Sequence, residues 1–205
     1  MCEIDIKLVI EKLSTYGKEE LEPTFTKQLK SYCKSLGTCQ QDVNQLGLLI
    51  LHQLEKNHAQ IRYGSLLIIE YLFEKSHLFR IFICEHLESF FKLCFGLNGF
   101  NYFDKLIECN NSEKMNTKNI NDKKKSLQPA VWRKKLHSKA LECYLYWYRE
   151  FSSAYKTLKN GFIFLQKQGL VDSDTFSNSS QLVNISDSKY VCTYFCFVFI
   201  FIFSV

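Results

Sequence analysis

HAQIRYGSLLIIEYLFEKSHLFR, residues 58–80, is the stretch whose reading decides the fold. Ile61, Ser65, Ile68, Ile69 and Leu72 recur at helical spacing, and Leu66 and Phe73 widen the apolar stripe until most of the circumference needs a neighbour. A helix that oily cannot stand alone in water, so the spacing predicts a central helix with others packed around it. Asn57 is placed to cap its first turn, and Gln60, three residues on, can reach back in the reciprocal pattern of a capping box. Ser76 then offers a cap for the next helix and leaves almost no loop, which makes the two helices antiparallel neighbours.

Upstream, Ile6, Val9, Ile10 and Leu13 share one face of a helix over residues 3–16, which Gly17 ends. Pro23 opens a second helix reaching Gly37, since its missing amide hydrogen costs nothing in a first turn. Leu29, Cys33 and Leu36 form its inward stripe, with Cys33 at a tight core position where arginine would bury an unpaired charge. Thr38 and Gln41 make another capping box ahead of a third helix bearing Val43, Leu46, Leu49, Ile50 and Leu54. Gly47 within it would weaken a lone helix, which points to a close helix crossing.

Downstream, residues 77–95 form the second arm of the hairpin, with Phe82, Ile83, Leu87, Phe90, Phe91 and Leu93 apolar, and Glu88 and Lys92 paired one turn apart on the wet side. Gly96 and Gly99 mark its end. Residues 108–128 are polar, charged and nearly without aromatics, the composition of a flexible insertion. Pro129 restarts helix, and the stripe Leu136, Ala140, Cys143, Tyr144, Trp147, Phe151, Ala154, Tyr155, Leu158, Phe162 and Leu165 spells one long helix or two nearly coaxial ones. The expected core residues include Cys33, Ile61, Ile68, Leu72, Trp147, Phe151, Tyr155 and Leu158.

Domain organisation follows: a helical domain over residues 1–170, a disordered linker over 171–189 and an apolar tail over 190–205. The tail, YVCTYFCFVFIFIFSV, is an aggregation liability. It is shorter than the roughly 20 residues a spanning helix needs. An alternative transcript end or a mispredicted exon is therefore expected ahead of a membrane anchor.

With only two prolines in 205 residues and helical spacing nearly throughout, the fold class is all-α, a solenoid or bundle of about six to eight helices. The net charge of +5 is uneven, because residues 114–139 hold nine Lys or Arg against Asp122 alone. Nine cysteines include no C-x-x-C pair, so neither disulfides nor zinc are expected. Phosphate-cradling glycine loops, a nucleophile elbow and paired zinc-protease histidines are all missing, which excludes the commonest enzyme classes and leaves no cofactor to place.

What remains is surface. Lys123, Lys124, Lys125, Arg133, Lys134, Lys135 and Lys139 make a basic patch suited to DNA, RNA, acidic lipid or an acidic protein face, or simply a solvated one. Trp132 beside it can stack, insert or pack. Arg62, His77 and Arg80 flank the central hairpin, where they can pair with acidic groups of a partner, or internally with Glu70, Glu74 and helix ends.

Two blocks carry a family resemblance. The first is His58, Ala59, Ile61 and Arg62 at the start of the central helix, with Leu72, Phe73, Ser76, His77, Phe79 and Arg80 at its close. The second is Trp147, Phe151, Ala154, Tyr155, Leu158, Gly161, Phe162 and Leu165. Together they resemble the amino-terminal domain of the UV-stimulated scaffold protein A family, over residues 1 to about 176. Cys33 matches a cysteine that follows Leu-Lys-x-x in that family.

The resemblance implies a right-handed helical superhelix similar to VHS and ENTH domains, and a nuclear, chromatin-associated, non-enzymatic adaptor of transcription-coupled nucleotide excision repair. It implies docking to the Cockayne syndrome A ubiquitin-ligase subunit and to stalled RNA polymerase II, with ubiquitin as a further partner. Recruitment of TFIIH and of a deubiquitinase belongs to downstream segments of the family without counterpart in this sequence, so neither is expected here. The competing expectation is a membrane-trafficking adaptor of the VHS or ENTH kind that binds acidic lipid or ubiquitinated cargo. The Ser76-His77-x-Phe79-Arg80 ending favours the repair family.

Overall fold

The computed structural model describes residues 5–36, 39–101, 103–104 and 127–171. Its named elements are α1 (Ile6–Thr15), α2 (Pro23–Leu36), α3 (Gln40–Leu54), α4 (Ala59–Lys75), α5 (His77–Glu85), α6 (Leu87–Phe95), α7 (Ala130–Phe151) and α8 (Lys156–Lys167). The fold is all-α, and no strand occurs among the described residues. Residues up to Phe164 form one compact unit, and a second begins at Leu165. In the first, α4 packs against α1, α3, α5 and α7, while α2 lies on α1 and α3 and α6 lies on α7, the succession of packed neighbours expected of the helical superhelix. In the second, the helix ends where Gly169 takes φ +71° and the Leu170 amide donates to Leu165 O at 3.0 Å.

α4 is central because its sequence is apolar nearly all round. Leu66, Ile68, Ile69 and Phe73 are 0% exposed, and Lys75 is the helix's one exposed residue. Each such side chain contributes about 1.5–3 kcal/mol on burial. Gly64 lets α1 approach to backbone contact at Ser14. Gly47 does the same for the Phe82 ring of α5, the close crossing that its place inside α3 implied.

Helix ends divide between local and tertiary control. Ser76 caps α5 as expected, accepting from the Phe79 amide at 3.2 Å, and Gly17 and Gly96 take positive φ just past α1 and α6. One capping box does not form. His58, not Asn57, is the N-cap of α4, with no side-chain cap bond. Instead the Ala59 amide donates to Gln128 O at 2.7 Å, and the Gln60 amide group turns away toward Ser14 O of α1. α3 likewise starts behind Cys39 without a side-chain cap, and Thr38 lies outside the described residues.

Two continuous runs are broken. The second hairpin arm is two helices, because His86 leaves helical geometry (φ −107°, ψ 21°) while its Nδ1 engages Phe82 O at 2.8 Å. Glu88 does not pair with Lys92; it accepts from the amides of Gly99 and Asn101, at 3.3 and 2.9 Å, and so fixes the chain beyond α6. The stripe from Leu136 to Leu165 is also two helices, and they are not coaxial. Fourteen residues of straight helix would set Tyr144 and Leu158 about 21 Å apart, yet Tyr144 Oη donates to Leu158 O at 2.8 Å.

Among the expected core residues, Ile68, Leu72, Trp147 and Leu158 are buried, whereas Cys33, Ile61, Phe151 and Tyr155 are half-buried. Trp147 lies between Phe73, stacked at 4.1 Å, and Phe90 at 5.2 Å. The described cysteines are free thiols. Burial pushes Cys33 up to about 11 and Cys84 and Cys94 to about 12, and raises Cys143 further. Thiolate is the reactive form. Among the described cysteines, maleimide at neutral pH should therefore label exposed Cys39 first and leave Cys94 and Cys143 intact until denaturant is added. Peptide mapping by mass spectrometry checks this, and equal labelling in the native chain would refute it.

Candidate functional site

The two distant motif blocks meet at one node. Ser76 starts α5 with its first turn turned back toward the end of α4, so Arg80 comes within reach of orphan carbonyls there. Its Nη1 donates to Phe73 O at 2.8 Å and Glu74 O at 3.3 Å, and its Nε donates to Tyr155 Oη at 3.3 Å. The guanidinium lies over the Phe151 ring, 4.7 Å from the centroid. His77 Nδ1 stands 2.5 Å from the same Tyr155 Oη. With Arg80 donating to Oη, the tyrosine proton is free to go to Nδ1 of the exposed His77. Arg80 thus fastens the close of α4 to the α7–α8 turn.

Lysine cannot supply that planar fork. Arg80→Lys is expected to cost about 1–3 kcal/mol through carbonyls left short of a donor. A urea titration reads the loss, and an unshifted midpoint would remove Arg80 from the fastening.

Arg62 makes a second clasp. It donates to Lys56 O at 2.8 Å, to Glu55 O at 3.4 Å and to Leu93 O at 2.8 Å, so one guanidinium serves the carboxyl ends of both α3 and α6. Burial lowers its pKa, with Cys94 and Glu55 opposing. Glu70, the acid that the spacing offered to these arginines, instead binds Lys139 at 2.8 Å. Arg62 and Arg80 turn their donors inward to backbone, while His77 remains exposed at the rim.

The basic face of α7 divides. Arg133 and Lys134 are exposed. Lys135 binds Glu19 and lies 4.9 Å over the Trp132 ring, which itself tilts against Tyr63 at 5.2 Å. Trp132 therefore packs. Lys139 is held between Glu70 and Glu142; burial alone would lower its pKa, but Cys143 and these two carboxylates raise it. Lys123, Lys124 and Lys125 lie outside the described residues.

One cationic surface went unread in the sequence: Lys27, Lys30 and Lys34 stand exposed on α2, at a three-and-four spacing that a search for charged helix faces would have caught. Among the described residues no group of His, Cys, Asp and Glu could hold a metal, and no helix is long and apolar enough to cross a membrane. Among the described residues the arrangement offers charged and polar surfaces on packed helices.

Comparison with known proteins bears on this architecture. Residues 3–102 match the family model described as the UVSSA N-terminal domain. The chain is similar to UV-stimulated scaffold protein A of Xenopus tropicalis, 26% identical over 84% of this chain and 20% of the relative. The Bos taurus protein of that name is 27% identical over 80% of this chain and 20% of its own length. The Arabidopsis thaliana homologue is 28% identical over 77% of this chain and 20% of its own length. The chain thus spans about a fifth of the length of the curated relatives it matches. Residues 3–102 thus resemble the UVSSA N-terminal domain, and the chain is similar to the amino-terminal part of UV-stimulated scaffold proteins A.

Proposed function

We propose that this chain is a non-enzymatic docking module of transcription-coupled nucleotide excision repair, acting in the nucleus on chromatin. Its helical faces receive the Cockayne syndrome A homologue and the stalled RNA polymerase II elongation complex, with ubiquitin as a further ligand. The supporting observation is that the two blocks on which the family resemblance rests form one structural unit: Phe73 of the first stacks on Trp147 of the second, and Arg80 and His77 both engage Tyr155. A scaffold needs such rigidity, because a surface held in its bound shape spends less binding energy on ordering.

Isothermal titration of the 205-residue chain against the purified Cockayne syndrome A homologue tests the reading. Saturable association that survives in the absence of nucleic acid is expected. A chain with an intact thermal transition and no heat of binding would sink it.

A further inference from the structure

We propose that the outward side of α2 is a docking strip for the phosphate backbone of duplex nucleic acid. α2 contains no Asp or Glu from Pro23 to Leu36, and Lys27, Lys30 and Lys34 are all exposed. At 3.6 residues per turn, Lys27 and Lys34 are nearly eclipsed and Lys30 stands roughly 60° round the axis, so three ammonium groups leave one side of the helix. The other exposed residues of that side are Pro23, Thr24, Ser31 and Ser35, and the three hydroxyls can donate to phosphate oxygens. Leu29, fully buried, and the half-buried Phe25, Tyr32 and Cys33 occupy the opposite side of a helix packed on α1 and α3.

The three lysines differ from those of α7. Lys135 and Lys139 are neutralised by Glu19, Glu70 and Glu142, whereas the ammonium groups of Lys27, Lys30 and Lys34 make no ion pair or hydrogen bond with any described residue. Like charges three and four apart cost a helix a few tenths of a kcal/mol per pair. A polyanion laid along the strip turns that repulsion into attraction.

The chemistry of the strip selects among polyanions. Its one exposed apolar residue is Pro23, too small an anchor to insert between lipids. It exposes no aromatic ring on which unpaired bases could stack. Lysine supplies point charges without the guanidinium fork that grips a carboxylate in two places. A row of point charges about 10 Å long meets a duplex that presents a charge every ~1.7 Å of its axis. Binding of this kind reads phosphate and carries no base preference.

The test is fluorescence anisotropy of a labelled duplex of about 20 base pairs titrated with the full chain between about 50 and 200 mM salt. Parallel titrations use phosphatidylserine vesicles and poly-glutamate. Three neutralised phosphate contacts predict a log–log salt slope about 2–3 shallower in Lys27→Gln/Lys30→Gln/Lys34→Gln. The triple lysine-to-arginine variant should keep the parent slope, and both variants should melt with the parent. A triple glutamine variant with unchanged slope overturns the assignment. So does a loss of binding confined to the vesicles or to poly-glutamate.

Discussion

Trp147→Ala is expected to lose about 3–5 kcal/mol of stability, the range for emptying a fully buried large aromatic site. The indole is 0% exposed between Phe73 and Phe90, and Tyr144 closes the side at 6.5 Å. A companion substitution sharpens the reading. Nε1 of Trp147 is buried without a hydrogen-bond partner, so Trp147→Phe keeps the stack on Phe73 while removing an unpaired polar group. It should cost less, about 1–2 kcal/mol. Urea titrations of the three chains give the order parent, Phe, Ala. A phenylalanine variant as weak as the alanine one would show that the indole edge, and not the stack, carries the packing.

The second large effect is expected at Gly64. Alanine is favoured over glycine in a helix by about 1 kcal/mol, so a freely packed site would be stabilised by the change. Here the added Cβ would stand 2.7 Å from Ser14 Cα and 2.8 Å from its carbonyl carbon, contacts that real Cβ atoms do not make. α1 would have to move off α4 as a body, since the obstacle is main chain. Gly64→Ala should therefore destabilise by about 3 kcal/mol, at the upper end for overpacking. Ser14→Gly added to it should not rescue, because it leaves the clashing backbone in place. Recovery of the parent melting temperature in that double variant would refute the backbone-contact account.

Local patterns were readable where local physics decides. The all-round apolarity of residues 61–73 gave α4 its central place, Ser76 its cap and Gly47 its crossing. They failed where a distant group competed. Gln60 could serve Asn57 or Ser14, and the amide fell to a carbonyl 46 residues away. The break at His86 was hidden because apolar spacing continues across it, and spacing reports which side faces inward without reporting whether the backbone stays helical. Arg62 and Arg80 were noticed as cations, but the carbonyls they bind come from helix ends that only the folded chain brings together. The lysines of α2 were legible in their spacing; that their ammonium groups pair with no described carboxylate was not.

Because α4 yields almost its whole circumference to neighbours, it has nothing left to offer a visitor. In the docking role proposed above, recognition falls to the rind of the molecule, and the keel beneath carries the load. A change confined to that outermost layer would leave the keel as it is, so the surface of a module of this build can be altered without rebuilding its interior.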